Sequence, residues 1–191
     1  MKRTLIVTAH PDDETFGMGG ALIKMCKIDP TKVKIVTLCR GRDDINSISR
    51  LDAIAKIKNK LGFQHSQYDY YDLELERVLI KDLTHIIDKE IEDFNPERVF
   101  TVNGNDIHQD HKIVSHACKI SCRPNRLNIQ ELYEFKIPET EPFSETYFDT
   151  IIDVYDVEDE KRKLIEMYTS ERKPTVECIE KFKTIYRRFE I

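Results

Sequence analysis

The stretch TLIVTAHPDDETFGMGGAL, residues 4–22, decides how the rest of the chain is read. Its first six residues, TLIVTA (4–9), have the length and apolar character of a buried strand. The run stops at His10-Pro11, and Asp12, Asp13 and Glu14 follow in a row. Carboxylates this close repel one another, so the loop must either solvate them or hold a cation. Past them, Gly17, Gly19 and Gly20 lead into Leu22, Ile23, Met25 and Cys26 at helical spacing, predicting a helix over 19–28. A strand, a polar loop and a helix make the opening unit of an α/β fold.

The same alternation continues outward. Strands are predicted at 33–39 (VKIVTLC), 68–73, 98–102 (RVFTV), 132–137 and 147–154. Helices are predicted at 48–61, ended by Gly62, and at 79–94, ended by Asn95-Pro96. Further helices are expected at 112–122, 158–169 and 176–189, with a loop at 138–143. Strands alternating with crossover helices imply a parallel sheet with helices on both faces. The fold class expected is therefore α/β, a Rossmann-like three-layer sandwich with a mostly parallel sheet. No repeat, low-complexity tract or dividing linker interrupts the 191 residues, so 1–191 reads as a single domain.

Composition narrows the function. The net charge of −5 argues against a dedicated nucleic-acid binder, which carries a basic surplus. No apolar run approaches the roughly 20 residues of a membrane span, and TLIVTA is too short for a signal-peptide core. Five cysteines at scattered spacings, Cys26, Cys39, Cys118, Cys122 and Cys178, read as reduced and interior. The expectation is a cytoplasmic protein with a small-molecule substrate.

In a doubly wound sheet the first and fourth strands are neighbours, and ligands sit beyond their carboxyl ends. That brings His10–Glu14 beside the segment NGNDIHQDH, residues 103–111. Together the two loops hold three of the chain's six histidines and five acidic residues. Taken singly, each fits a strand-end histidine or a helix-start charge. Meeting in one crevice, they fit a metal site. Imidazole and carboxylate donors suit zinc, with iron, cobalt or manganese as rivals. Two histidines and one carboxylate leave a position open for water; spacing alone does not say whether Asp12 or Asp13 is the ligand. A nucleotide loop is excluded, because G-x-G-x-x-G would need glycine at Leu22 and acidic residues stand where phosphates would go. The glycines serve instead to let the helix approach the sheet.

HPDDETFGMGGAL (10–22) resembles the first motif of the PIG-L (LmbE-like) zinc-dependent de-N-acetylase family, and DIHQDH (106–111) resembles its second. Weaker similarity runs through Arg50, through NPERV at 95–99 and through 161–170. The resemblance implies hydrolysis of an N-acetyl group from an N-acetylglucosamine-type sugar or conjugate, with a Zn2+ cofactor. It implies His10, Asp13 and His111 as metal ligands and Asp12 as general base. It also implies that a protonated His108 stabilises the oxyanion while Asp110 orients that imidazole. Glu14 supports the loop. Departures lie at Leu38-Cys39-Arg40-Gly41-Arg42-Asp43-Asp44, at Gln109 and at Ser170-Glu171, outside the implied metal shell. Arg50 and Arg42 are the candidates to hold a charged group of the substrate. Competing readings are an amidase for a larger sugar-linked amide and a non-catalytic sugar- or metal-binding domain of the same fold. A second copy of the chain completing an open pocket is the expectation for assembly.

Overall fold

A computed structural model of the chain describes residues 1–41, 45–125, 128–138, 147–169 and 175–188. Seven strands, β1 (Thr4–Thr8), β2 (Val33–Cys39), β3 (Gln64–Tyr70), β4 (Arg98–Val102), β5 (Glu131–Phe135), β6 (Thr150–Asp153) and β7 (Ile179–Arg187), form one sheet. Among the described residues five α-helices accompany them: α1 (Asp13–Ile28), α2 (Ile45–Leu61), α3 (Ile80–Phe94), α4 (Gln109–Ser121) and α5 (Glu158–Ile165). The strand order is β3-β2-β1-β4-β5-β7-β6. The first five strands are parallel, and β7 runs antiparallel to both β5 and β6. The chain is thus a single α/β domain of the Rossmann-like kind, with a mostly parallel sheet.

Its centre is β1, flanked by β2 and β4 and buried at every residue, as an apolar run in a sheet covered on both faces must be. α3 packs on α4, and α1 packs on α5 and α2. The strand order reverses between β1 and β4, so the loops after Thr8 and Val102 open into one crevice.

Two glycines of the GMGG run are dictated by this packing. A Cβ on Gly17 would stand 2.5 Å from the Phe135 ring, and one on Gly20 would stand 2.5 Å from Val154 Cβ. α1 can therefore lie against the β5 and β6 region only without side chains there. The helix also kinks at Met18, whose φ of −143° and ψ of 28° are not helical. The kink releases N–H groups from the helical ladder, and the Glu180 carboxylate accepts two of them, Gly20 N–H at 2.7 Å and Ala21 N–H at 2.8 Å. Lys161 Nζ, 1% exposed, donates to the same carboxylate at 2.8 Å.

Several boundaries differ from the sequence reading. α1 begins at Asp13 rather than 19, because Asp12 takes the cap position and the acidic residues fall in the first turn, where the helix dipole favours them. β3 begins at Gln64, four residues early; QHSQYDY is a half-exposed edge strand without an apolar run. The helix expected at 176–189 is instead strand β7, hydrogen-bonded to β5 and β6. Ile179, Phe182 and Tyr186 mimic a helical stripe, but the buried positions at the start of the strand are Glu180 and Phe182, two apart.

Candidate metal centre

The crevice beyond β1 and β4 is built by local hydrogen bonds. β1 ends at Thr8, and beyond it the chain turns so that Asp13 N–H donates to His10 C=O at 3.4 Å. Asp13 Oδ2 accepts the backbone N–H groups of Ala9 and His10 at 3.0 and 2.9 Å. With that oxygen engaged, Oδ1 is left to face the crevice. It stands 3.7 Å from His10 Nδ1 and 3.3 Å from His111 Nε2. The two ring nitrogens are themselves 3.3 Å apart. Three donors thus converge from the β1 loop and from the first turn of α4.

Tetrahedral zinc with bonds of about 2.0–2.2 Å sets its donors about 3.3–3.6 Å apart. Two of the observed spacings, both 3.3 Å, match that edge length and the third, 3.7 Å, is just above it, so the residues present fit such an ion. The far nitrogen of each imidazole meets a buried carboxylate. His10 Nε2 lies 3.2 Å from Asp110 Oδ2, and His111 Nδ1 lies 3.0 Å from Asp106 Oδ2. This carboxylate–histidine pairing fixes the ring orientation and strengthens the ligand nitrogen. Burial opposes charge on both rings, yet the surrounding carboxylates outweigh it. His10 is held well above its ordinary value by Asp110, Asp13 and Asp72, and His111 is raised to about 9 by Asp13 and Asp106. Burial would likewise raise Asp13, but His111 and His10 hold it well below the usual carboxylate range.

Asp12, 7% exposed, caps α1 through its backbone, its C=O accepting from Thr15 and Phe16 N–H. Its carboxylate takes no part in that cap; an oxygen of it lies within 4.8 Å of donor atoms of His10 and Asp13, and Oδ2 is 3.9 Å from Arg50 Nη1. His108 stands across the crevice with its ring 4.7 Å from that of His10 and 4.6 Å from that of His111. Its Nδ1 accepts the Asp110 backbone N–H at 3.2 Å, which leaves the ring proton on Nε2. Burial, with the neighbouring imidazoles, pushes His108 down to about 4. The structure places the Asp110 carboxylate on His10 and on Leu73 N–H, so what Asp110 offers His108 is its backbone.

Glu14 is fully buried, and its Oε1 accepts from Thr15 Oγ1 at 2.7 Å and from Tyr168 O–H at 3.3 Å. Burial lifts its carboxyl to about 8. Arg50 donates to Asp72 Oδ2 at 2.6 Å, so the structure gives it a carboxylate partner beside the crevice. Arg42 and the Ser170-Glu171 pair lie outside the described residues. The sequence reading missed Asp72 and did not single out Asp106 within its motif. Asp72 is supplied by the loop after β3, and only the register of that edge strand brings it to His10. Leu73, next to it, holds a φ of 62° and donates its N–H to Asp110 at 2.7 Å.

A Rossmann-like sheet with two histidines and a carboxylate converging at its switch point defines an α/β protein with a group of donors that could hold a metal ion. Residues 5–121 match the PIG-L family, described as GlcNAc-PI de-N-acetylase, and the chain belongs to that family. Over 146 residues it is 30% identical to the uncharacterized deacetylase YaiS of Escherichia coli (strain K12), covering 73% of this chain and 76% of YaiS. Its fold is shared by N,N'-diacetylchitobiose deacetylase from Pyrococcus horikoshii, at a TM-score of 0.72 and 22% identity over 96% of this chain and 84% of that one. It is shared also by the zinc-inhibited form of teicoplanin deacetylase Orf2, at a TM-score of 0.71 and 14% identity over 88% of this chain and 84% of that one. Among the described residues no helix is long and apolar enough to cross a membrane.

Proposed function

We propose that the protein is a metal-dependent hydrolase that removes the N-acetyl group from an N-acetylglucosamine-type sugar or sugar conjugate. The observation that carries this reading is the convergence of His10 Nδ1, Asp13 Oδ1 and His111 Nε2 near the edge length of a tetrahedral ion. The reading also draws on the family to which the chain belongs and on a relative described as a deacetylase.

His10, Asp13 and His111 would hold the ion, with zinc the best match to two imidazoles and a carboxylate. When bound, such an ion supplies Lewis acidity, polarising the acetyl carbonyl and lowering the pKa of water to about 7. The protein's own groups do the rest. Asp12 accepts the proton of the attacking water, and later passes a proton to the departing amine. The Arg50 guanidinium stands 3.9 Å from Asp12 Oδ2. His108 donates its Nε2–H to the developing oxyanion. A neutral imidazole suffices, because the proton is fixed on Nε2 by the Asp110 N–H on the other side of the ring. Asp110 and Asp106 hold the two ligand imidazoles in register, and Arg50 acts through Asp72 and Asp12 rather than as a free anchor for substrate.

Acetate release from N-acetylglucosamine, its oligosaccharides, nucleotide-sugars and glycosides, with and without chelator, tests the reading. Release that chelator abolishes and added zinc restores is expected. No release from any of these with metal present would favour the binding-domain reading.

A further inference from the structure

The far side of His10 carries a second set of donors. A ring nitrogen of His10, the Cys39 thiol and a carboxylate oxygen of Asp72 all lie within 4.8 Å of one another, and Nε2 is the His10 nitrogen on the Asp72 side. Asp72 Oδ1 is 3.8 Å from Nε2, while Oδ2 is held at 2.6 Å by Arg50, so the free oxygen is the one turned toward the imidazole. Asp72 Oδ1 and Asp110 Oδ1 are both buried and accept no hydrogen bond among the described residues. Buried carboxylate oxygens ordinarily find a donor or a cation. Cys39, at the end of β2 and fully buried, puts a thiol where it can add a soft donor.

We infer that Cys39, Asp72 and His10 Nε2 form a second, weaker site for a thiophilic divalent cation such as zinc, filled after the centre formed by His10 Nδ1, Asp13 and His111. Occupation releases two protons to solvent, one from Cys39 Sγ and one from His10 Nε2, and leaves His10 as an imidazolate between two cations. No electron moves. The second ion takes His10 Nε2 from Asp110 and strips the proton that the Asp110 carboxylate was holding in place, so it disturbs the first centre. Excess zinc is therefore expected to inhibit the hydrolysis proposed above. The site rests on that reading only for its consequence; the binding itself is independent of any activity.

Cobalt titration of the whole metal-free protein tests the inference without an activity readout. The first equivalent is expected to give ligand-field bands alone. The second is expected to add a near-ultraviolet thiolate-to-cobalt charge-transfer band. That band should vanish in Cys39→Ser and in Cys39→Ala, each checked for folding by circular dichroism, and survive in the Cys118→Ala/Cys122→Ala pair, the other close thiols of the chain at 3.8 Å. A thiolate band that survives both Cys39 substitutions would overturn the assignment. So would a second equivalent that binds without any such band, or a band that accompanies the first equivalent. If the band behaves as expected while no acetyl sugar is cleaved, the second site stands and the deacetylase reading falls.

Discussion

Replacing Asp106 by asparagine isolates the contribution of a group that stands behind the proposed ligand His111. Asp106 is 2% exposed. Its Oδ1 accepts the His108 backbone N–H at 2.8 Å, and its Oδ2 stands 3.0 Å from His111 Nδ1. In Asp106→Asn the amide oxygen can keep the His108 N–H. The amide NH2 then faces His111 Nδ1 and donates to it. That contact moves the imidazole proton to Nε2, the nitrogen that must be bare to ligate. The variant also loses a charge-assisted contact of about 1.5–3 kcal/mol. Together these predict ion binding roughly 10- to 100-fold weaker. A zinc titration against a chromophoric competing chelator reads that change directly, and thermal denaturation checks that the variant is folded. At saturating metal most of the turnover should return, because Asp12 and His108 are untouched. A folded Asp106→Asn with the zinc affinity of wild type would refute the claim that this carboxylate sets the His111 tautomer.

Three further outcomes follow from the same structure. Asp12→Asn should keep its zinc affinity and lose at least about 100-fold in kcat, the usual range for a removed general base; wild-type turnover in that variant would reassign the base. Lys161→Met leaves the buried Glu180 carboxylate without its cation and should lower unfolding stability by about 3–5 kcal/mol, read by urea denaturation; an unchanged midpoint would mean that the two Gly20 and Ala21 N–H donors alone satisfy Glu180. His65 is pushed down to about 4 by burial and by Lys58, so it is neutral when folded and titrates near 6.5 when unfolded. Its contribution is complete above pH 6.5 and lost as pH falls toward 4, about 1–2 kcal/mol once solvent contact at the ring is discounted. The stability difference between wild type and His65→Gln should accordingly shrink between pH 7 and pH 4.5, and an unchanged difference would contradict it.

The sheet centre was legible because β1, β2 and β4 are apolar runs, and a parallel strand buried on both faces has no other composition available. Alternation of strands and helices then placed the β1 and β4 loops together, and with them His10, Asp13 and His111. Elements stabilised by polar groups were not legible. β3 is an edge strand of glutamine, serine and tyrosine, so its register, and the arrival of Asp72 beside His10, left no hydrophobic trace. β7 turns inward on Glu180, whose burial depends on Lys161 from a different element and on N–H groups exposed by the Met18 kink. A hydrophobic period cannot register a buried ion pair, and the remaining Ile179, Phe182 and Tyr186 fell into a false helical spacing. The carboxylates behind each ligand were ambiguous for a similar reason. Asp110 lies next to His111 and two residues from His108 in sequence, yet its carboxylate serves His10, about a hundred residues away in the chain.

Anomalous diffraction from crystals grown with one equivalent of zinc tests the central claim most directly. A single peak is expected within about 2.0–2.2 Å of His10 Nδ1, Asp13 Oδ1 and His111 Nε2, with Asp12 alongside and not bonded to it. A peak held by Asp12 in place of Asp13, or one seated away from these three atoms, would contradict it.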